Sequence, residues 1–153
     1  MNKQTPQQQL NSFFDKFTAD IAASARVSLR HMRKRLPGAT EIVYDNYNAL
    51  AIGFGPSEKT SHAIFSIAIY PRWVSLFFLQ GIGLPDPKKL LKGNGTRVRH
   101  IVLTSPADIL SPNIDALIAH SLTSAKVAID PRQKLRLLIK SVSAKQRPRR
   151  PMK

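Results

Sequence analysis

Residues 62–79 read HAIFSIAIYPRWVSLFFL. Two apolar runs rich in Ile and Phe, His62 to Tyr70 and Trp73 to Leu79, flank Pro71-Arg72, a pair suited to a tight turn. The reading is a β-hairpin. Both runs are nearly continuous in apolar residues, which places them centrally in the sheet. Upstream, Ala49 to Phe54 reads as a strand stopped by Gly55-Pro56-Ser57, and Asp45-Asn46-Tyr47-Asn48 as the turn joining it to a short strand from Glu41 to Tyr44. Downstream, Arg97 to Leu103 alternates: Val98, His100 and Val102 share one face, and Arg97, Arg99, Ile101 and Leu103 the other.

Helical patterns flank these strands. From Gln7 to Leu36, Leu10, Phe13, Phe14, Phe17, Ile21 and Ala25 recur at spacings of three or four, and Pro37-Gly38 ends the run. Ser24, Ala25, Val27 and Ser28 leave room for a short break within it. A helical turn is expected from Asp86 or Pro87 to Leu91, another after Ser105-Pro106, and an amphipathic helix over Pro112–Val127. Short connections between neighbouring strands imply antiparallel pairing. The expected fold is α+β: about five antiparallel strands, with N-terminal and C-terminal helices on one face and the other face partly open.

The 153 residues suit one domain, and 42% hydrophobic content supplies a core. Cysteine is absent, which excludes disulfides and thiolate chemistry and fits a reducing compartment. The polar N-terminal residues lack the apolar run of a secretory signal, and Ile64 to Leu79 is too short and too interrupted to span a bilayer. A soluble, cytoplasmic protein without a transmembrane segment is expected. The formal charge is +15, of which +9 falls in residues 126–153. The division drawn is therefore a domain over 1–128 and a basic tail over 129–153. In the tail, Leu135, Leu138, Ile139 and Val142 allow a helix over 131–142, and 143–153 is expected to be disordered.

Three segments carry a resemblance. Leu36-Pro37-Gly38-Ala39-Thr40-Glu41-Ile42-Val43-Tyr44 resembles the PGA-E-I-Y signature of the YdhG-like family of uncharacterised domains. Ile67-Ala68-Ile69-Tyr70-Pro71 resembles that family's strand ending in LYP. Leu91-Lys92-Gly93-Asn94-Gly95 with Arg97-Val98-Arg99-His100-Ile101 resembles its L-G-G-K-R-I segment. The order matches over about residues 25–125. The resemblance implies an α+β fold with an antiparallel sheet. One branch is described as frataxin-like and implies iron delivery. That role needs an acidic surface, and the first helix here carries only Asp15 and Asp20.

The chemistry-bearing residues favour binding over catalysis. His31, His62, His100 and His120 show no metal-ligand spacing, so no metal site is assigned. Gly-x-Ser-x-Gly, His-Glu-x-x-His and Walker-type loops are all missing, and neither a catalytic residue nor a cofactor is assigned. Tyr44, Asp45, Tyr47, Tyr70, Trp73, Arg97, Arg99 and His100 sit at strand ends and form a candidate small-ligand pocket on the open face. Lys92, Gly93, Asn94 and Gly95 form a candidate anion cradle, though the same residues suit a plain turn before a strand. Lys145, Arg147, Arg149, Arg150 and Lys153 form a candidate contact for nucleic acid or another polyanion. No Phe, Tyr or Trp lies within 129–153, so base stacking by the tail is not expected. A half-covered sheet also makes a homodimer a candidate state.

Overall fold

The computed structural model describes residues 4–151. Thr5 caps the first helix, α1 (Pro6–Phe14): its hydroxyl accepts from Gln8 N–H, and the Gln8 side chain accepts from Thr5 N–H. The chain breaks at Asp15–Thr18, burying Phe17, and Thr18 caps α2 (Ala19–Arg35). The helical run is therefore interrupted ahead of the position expected from sequence, and 24–28 lies inside α2. A good N-cap at Thr18 outweighs the weak helix preference of Ser24 and Ser28.

Six strands follow: β1 (Thr40–Asp45), β2 (Leu50–Gly55), β3 (Phe65–Ile69), β4 (Val74–Phe78), β5 (Arg99–Leu103) and β6 (Arg136–Val142). The sheet order is β5-β4-β3-β2-β1-β6. The first five pair antiparallel, and the 62–79 hairpin is present with Phe65 opposite Phe78 and Ile69 opposite Val74. Its turn closes with Tyr70 N–H donating to Trp73 O. Residues 106–110 form a 3-10 turn capped by Ser105 and Asp108, and α3 (Pro112–Ser124) ends three residues short of Val127. Residues 86–91 form no helix. Both carboxylate oxygens of Asp86 instead accept from the N–H groups of Leu90 and Leu91.

The main correction is β6. Residues 131–142 are not a helix: Arg136–Val142 adds a sixth strand, parallel to β1, so the sheet is mixed. Leu137 and Ile139 face the core at a spacing of two, opposite Glu41 and Val43. After β5 the chain crosses the helix layer through α3 and returns at the opposite edge, the long connection that a parallel neighbour requires.

All three helices contribute to one core with Val43, Leu50, Ile52, Phe54, Phe65, Ile67, Ile69, Leu76 and Phe78 from a single sheet face. The remaining face carries Ala51, Ser66, Ala68, Phe77, His100 and Val102 in alternation with those residues. No helix among the described residues is long and apolar enough to cross a membrane.

Gly38 sits at φ +84°, and a Cβ built there would lie 1.9 Å from Asp130 O and 2.9 Å from Pro131 Cα. The segment leading into β6 therefore rests directly on this glycine. Gly38→Ala should destabilise the fold by about 1–3 kcal/mol. Amide exchange should rise first in β6, and equal protection of β6 in variant and parent would refute this.

Candidate functional site

Asp45 ends β1 on the helix-facing side and is fully buried. Two cations meet its carboxylate. Lys16, from the break between α1 and α2, approaches Oδ2 with Nζ at 2.8 Å, and Arg149 approaches Oδ1 with Nη2 at 2.8 Å. The Arg149 guanidinium also donates to the carbonyls of Asn46 and Tyr47 and lies 5.8 Å from the Phe17 ring centroid. Gln146 completes the cluster: its amide nitrogen donates to Asp45 O at 3.0 Å, and its amide oxygen accepts from Lys16 at 3.2 Å. Burial pushes the Asp45 carboxyl upward. The bonds from Lys16, Gln146 and Arg149 outweigh that push and hold it below its ordinary value.

This cluster overturns the expectation of a disordered 143–153. Through Pro151 the segment folds back along 45–48, with Ser143 N–H donating to Asp45 O and Arg147 N–H to Tyr47 O. Arg149 is only 5% exposed and belongs to the interior, as does Asp45. Neither is free to meet a partner. Lys153 lies outside the described residues.

Arg149 and Arg150 have opposite environments. Arg150 is exposed, and its Nε donates to Lys16 O. With Arg26 and Arg30 of α2 it lines an open depression of about 520 Å³ whose floor includes Phe17, Ala22 and Val27. Arg26 is held by Asp15 at 2.8 Å. Lys34, exposed, follows Arg30 by one turn on the same helix face.

Glu41, on the buried side of β1, receives both Nε and Nη2 of Arg33, and Asp115 pairs with Arg35. Among residues 4–151, seven of the 22 Lys and Arg lie in ion pairs. Fifteen therefore have no side-chain carboxylate within pairing distance, Arg30, Lys34, Lys145, Arg147 and Arg150 among them.

The candidate small-ligand residues are not brought together. Tyr44, on β1, has its hydroxyl bonded to Thr60 at 3.0 Å. His100, on β5, stacks on Phe77. Four strand spacings separate β1 from β5, roughly 19 Å. Tyr70 stacks on Trp73 at the hairpin end. Tyr47 and Tyr70 do share a depression, an open one of about 530 Å³ floored by Ala51, Ser66 and Ala68. Arg99 donates to the carbonyls of Gly95 and Val98, closing the turn at Lys92, Gly93, Asn94 and Gly95 from within. Arg97 lies elsewhere, in a cleft beside α3. Among the described residues no three His, Asp or Glu side chains converge in a way that could hold a metal ion.

Arg26, Arg30 and Lys16 are site residues that the sequence does not single out. For Arg26 and Arg30 the one signal is the clustering of charge along α2, and for Lys16 there is none. No protein-family model, curated protein or solved structure matches this chain.

Asp45→Asn should cost about 3–5 kcal/mol, because it leaves Arg149 buried without a counter-charge. The stabilisation from the depressed pKa is complete above the unfolded value of 3.8 and is lost as pH falls through the lower folded value. The gap in unfolding midpoint between parent and variant should therefore be constant near neutrality and narrow below about pH 4. A gap that stays constant through that acid range would refute the assignment.

Proposed function

We propose that the protein is a non-enzymatic binding module that holds the phosphate backbone of a nucleic acid against α2 and the C-terminal segment. The observation that carries this reading is the meeting of Arg150 with Arg26 and Arg30 around one open depression, on a surface whose cations exceed its carboxylates. Successive residues four apart on a helix rise about 6 Å, so Arg30 and Lys34, neither with a carboxylate in pairing distance, present charge along one line that begins at Arg26 with its partner Asp15. A backbone carrying regularly spaced phosphates matches such a row, and counterion release drives the association.

The recognition is of charge and shape. Phe17 is buried beneath the depression, so no ring there is open to stack on a base. This favours duplex backbone over an unstacked strand. Arg147 lies 5.7 Å from the Tyr47 ring centroid, on the same C-terminal segment as Arg150, and it and Lys145 extend the contact beyond the depression. The likeness to YdhG-like domains rests on its three sequence motifs and supplies no ligand for this surface.

Binding of a labelled duplex should weaken steeply with salt. Replacing Arg30 and Arg150 together by Gln should reduce the slope of log affinity against log salt by roughly two, at about 0.9 per phosphate contact. Anisotropy titrations at several salt concentrations measure this. An unchanged slope, with fold retained, would overturn the surface.

A further inference from the structure

A second cleft lies away from the α2 surface and is independent of nucleic-acid binding there. Its volume is about 410 Å³, within the range of small-molecule sites. The 3-10 turn at Thr60–His62, the residue Gln80 beyond β4, Arg97 ahead of β5 and the C-terminal end of α3 enclose it. Arg97 and Lys126 line it, and neither is within pairing distance of a carboxylate or makes a side-chain hydrogen bond among the described residues. Ser121 also lines it. The residue is 9% exposed, and its Oγ, itself closed off from solvent, has no hydrogen-bond partner. A buried hydroxyl without a partner costs stability in the free protein, and a ligand oxygen would relieve that cost.

We propose that this cleft binds a small phosphomonoester with hydroxyls on its body, such as a sugar phosphate. Two unpaired cations match a dianion better than a single carboxylate, and an Arg guanidinium offers paired donors to phosphate oxygens. The Ser121 hydroxyl would donate alongside them once its side chain rotates toward the cleft. The helix end selects the rest of the ligand. α3 finishes at Ala125 without a capping backbone bond; the hydroxyls of Thr123 and Ser124 take the carbonyls of Ala119 and His120, which leaves those of the final turn as the acceptors. The same end carries partial negative charge, which opposes an anion placed directly on it. The phosphate therefore sits toward Arg97 and Lys126, and ligand hydroxyls donate to the carbonyls. Ala63, Ile64 and Val127 supply the apolar wall.

The test is calorimetry of the full chain with ribose 5-phosphate, with ribose and inorganic phosphate as the other two probes. Saturable binding of ribose 5-phosphate is expected, with none for ribose. Arg97→Gln should weaken it tenfold or more, as loss of a charged hydrogen-bond partner does. Ser121→Ala should weaken it several-fold while leaving the unfolding midpoint of the free protein unchanged or higher, since it removes an unsatisfied group. A lowered midpoint with unchanged affinity would assign Ser121 to the fold alone and overturn its role. Absence of saturable binding at millimolar ribose 5-phosphate would overturn the site. So would full affinity in Arg97→Gln. Inorganic phosphate binding as tightly as ribose 5-phosphate would overturn the part given to the helix end and the apolar wall.

Discussion

The pairing of Asp45 with Arg149 joins two segments 104 residues apart, inside the protein. Taking both charges out of water is costly, and their attraction offsets that only because the remaining hydrogen-bonding capacity is largely used. Lys16 takes the second carboxylate oxygen, and the carbonyls of Asn46 and Tyr47 take guanidinium N–H groups. Arg149 Nε alone is left without a partner. Such an arrangement adds little net stability over an apolar pair, but it tolerates only one geometry. It selects where the C-terminal segment lies, and thereby where Arg150 points.

The same constraint explains how a weak edge strand persists. β6 is a parallel neighbour of β1 whose residues are exposed or only partly buried. Its register slips by one residue between Val43 and Tyr44, where a bulge interrupts the ladder. Pairing of this kind holds poorly by itself. Both ends are pinned instead: Asp130 and Pro131 rest on Gly38 before the strand begins, and Gln146 and Arg149 close on Asp45 after it ends. Pro37-Gly38 thus places a glycine at a position where only a glycine fits.

Most of the fold is legible where local and tertiary preferences agree. The 62–79 hairpin has both its apolar runs and its turn, and alternation correctly separates Ile101 and Leu103 from His100 and Val102. β6 escapes a sequence reading because Leu135, Leu138, Ile139 and Val142 satisfy a helical spacing, while Leu137 and Ile139 satisfy a strand's; in so short a run the two periods overlap. The high charge of residues 143–153 then makes disorder their natural reading. Composition has no access to a single buried carboxylate over a hundred residues upstream, and Asp45 itself looks like an ordinary turn residue. The candidate ligand residues fail together for a related reason. Strand ends collect Tyr, Trp and His at every edge of a sheet, and only strand order reveals which of them are neighbours.

Charge supplies the remaining step. A net charge of +15 read from composition suggests a cationic surface without saying where it is. Ion pairing in the fold resolves this. The carboxylates of Asp45 and Glu41 are drawn inward and take Lys16, Arg149 and Arg33 with them, so Arg149, a candidate for external contact by sequence, becomes structural together with two further cations. What remains outside is patterned, because α2 is rigid and Arg150 is tethered beside it by its buried neighbour. A flexible basic tail would meet phosphates only by surrendering conformational freedom on binding. A tethered arginine beside a helical row has already given up that freedom on folding, and can meet a rigid duplex with correspondingly less to lose.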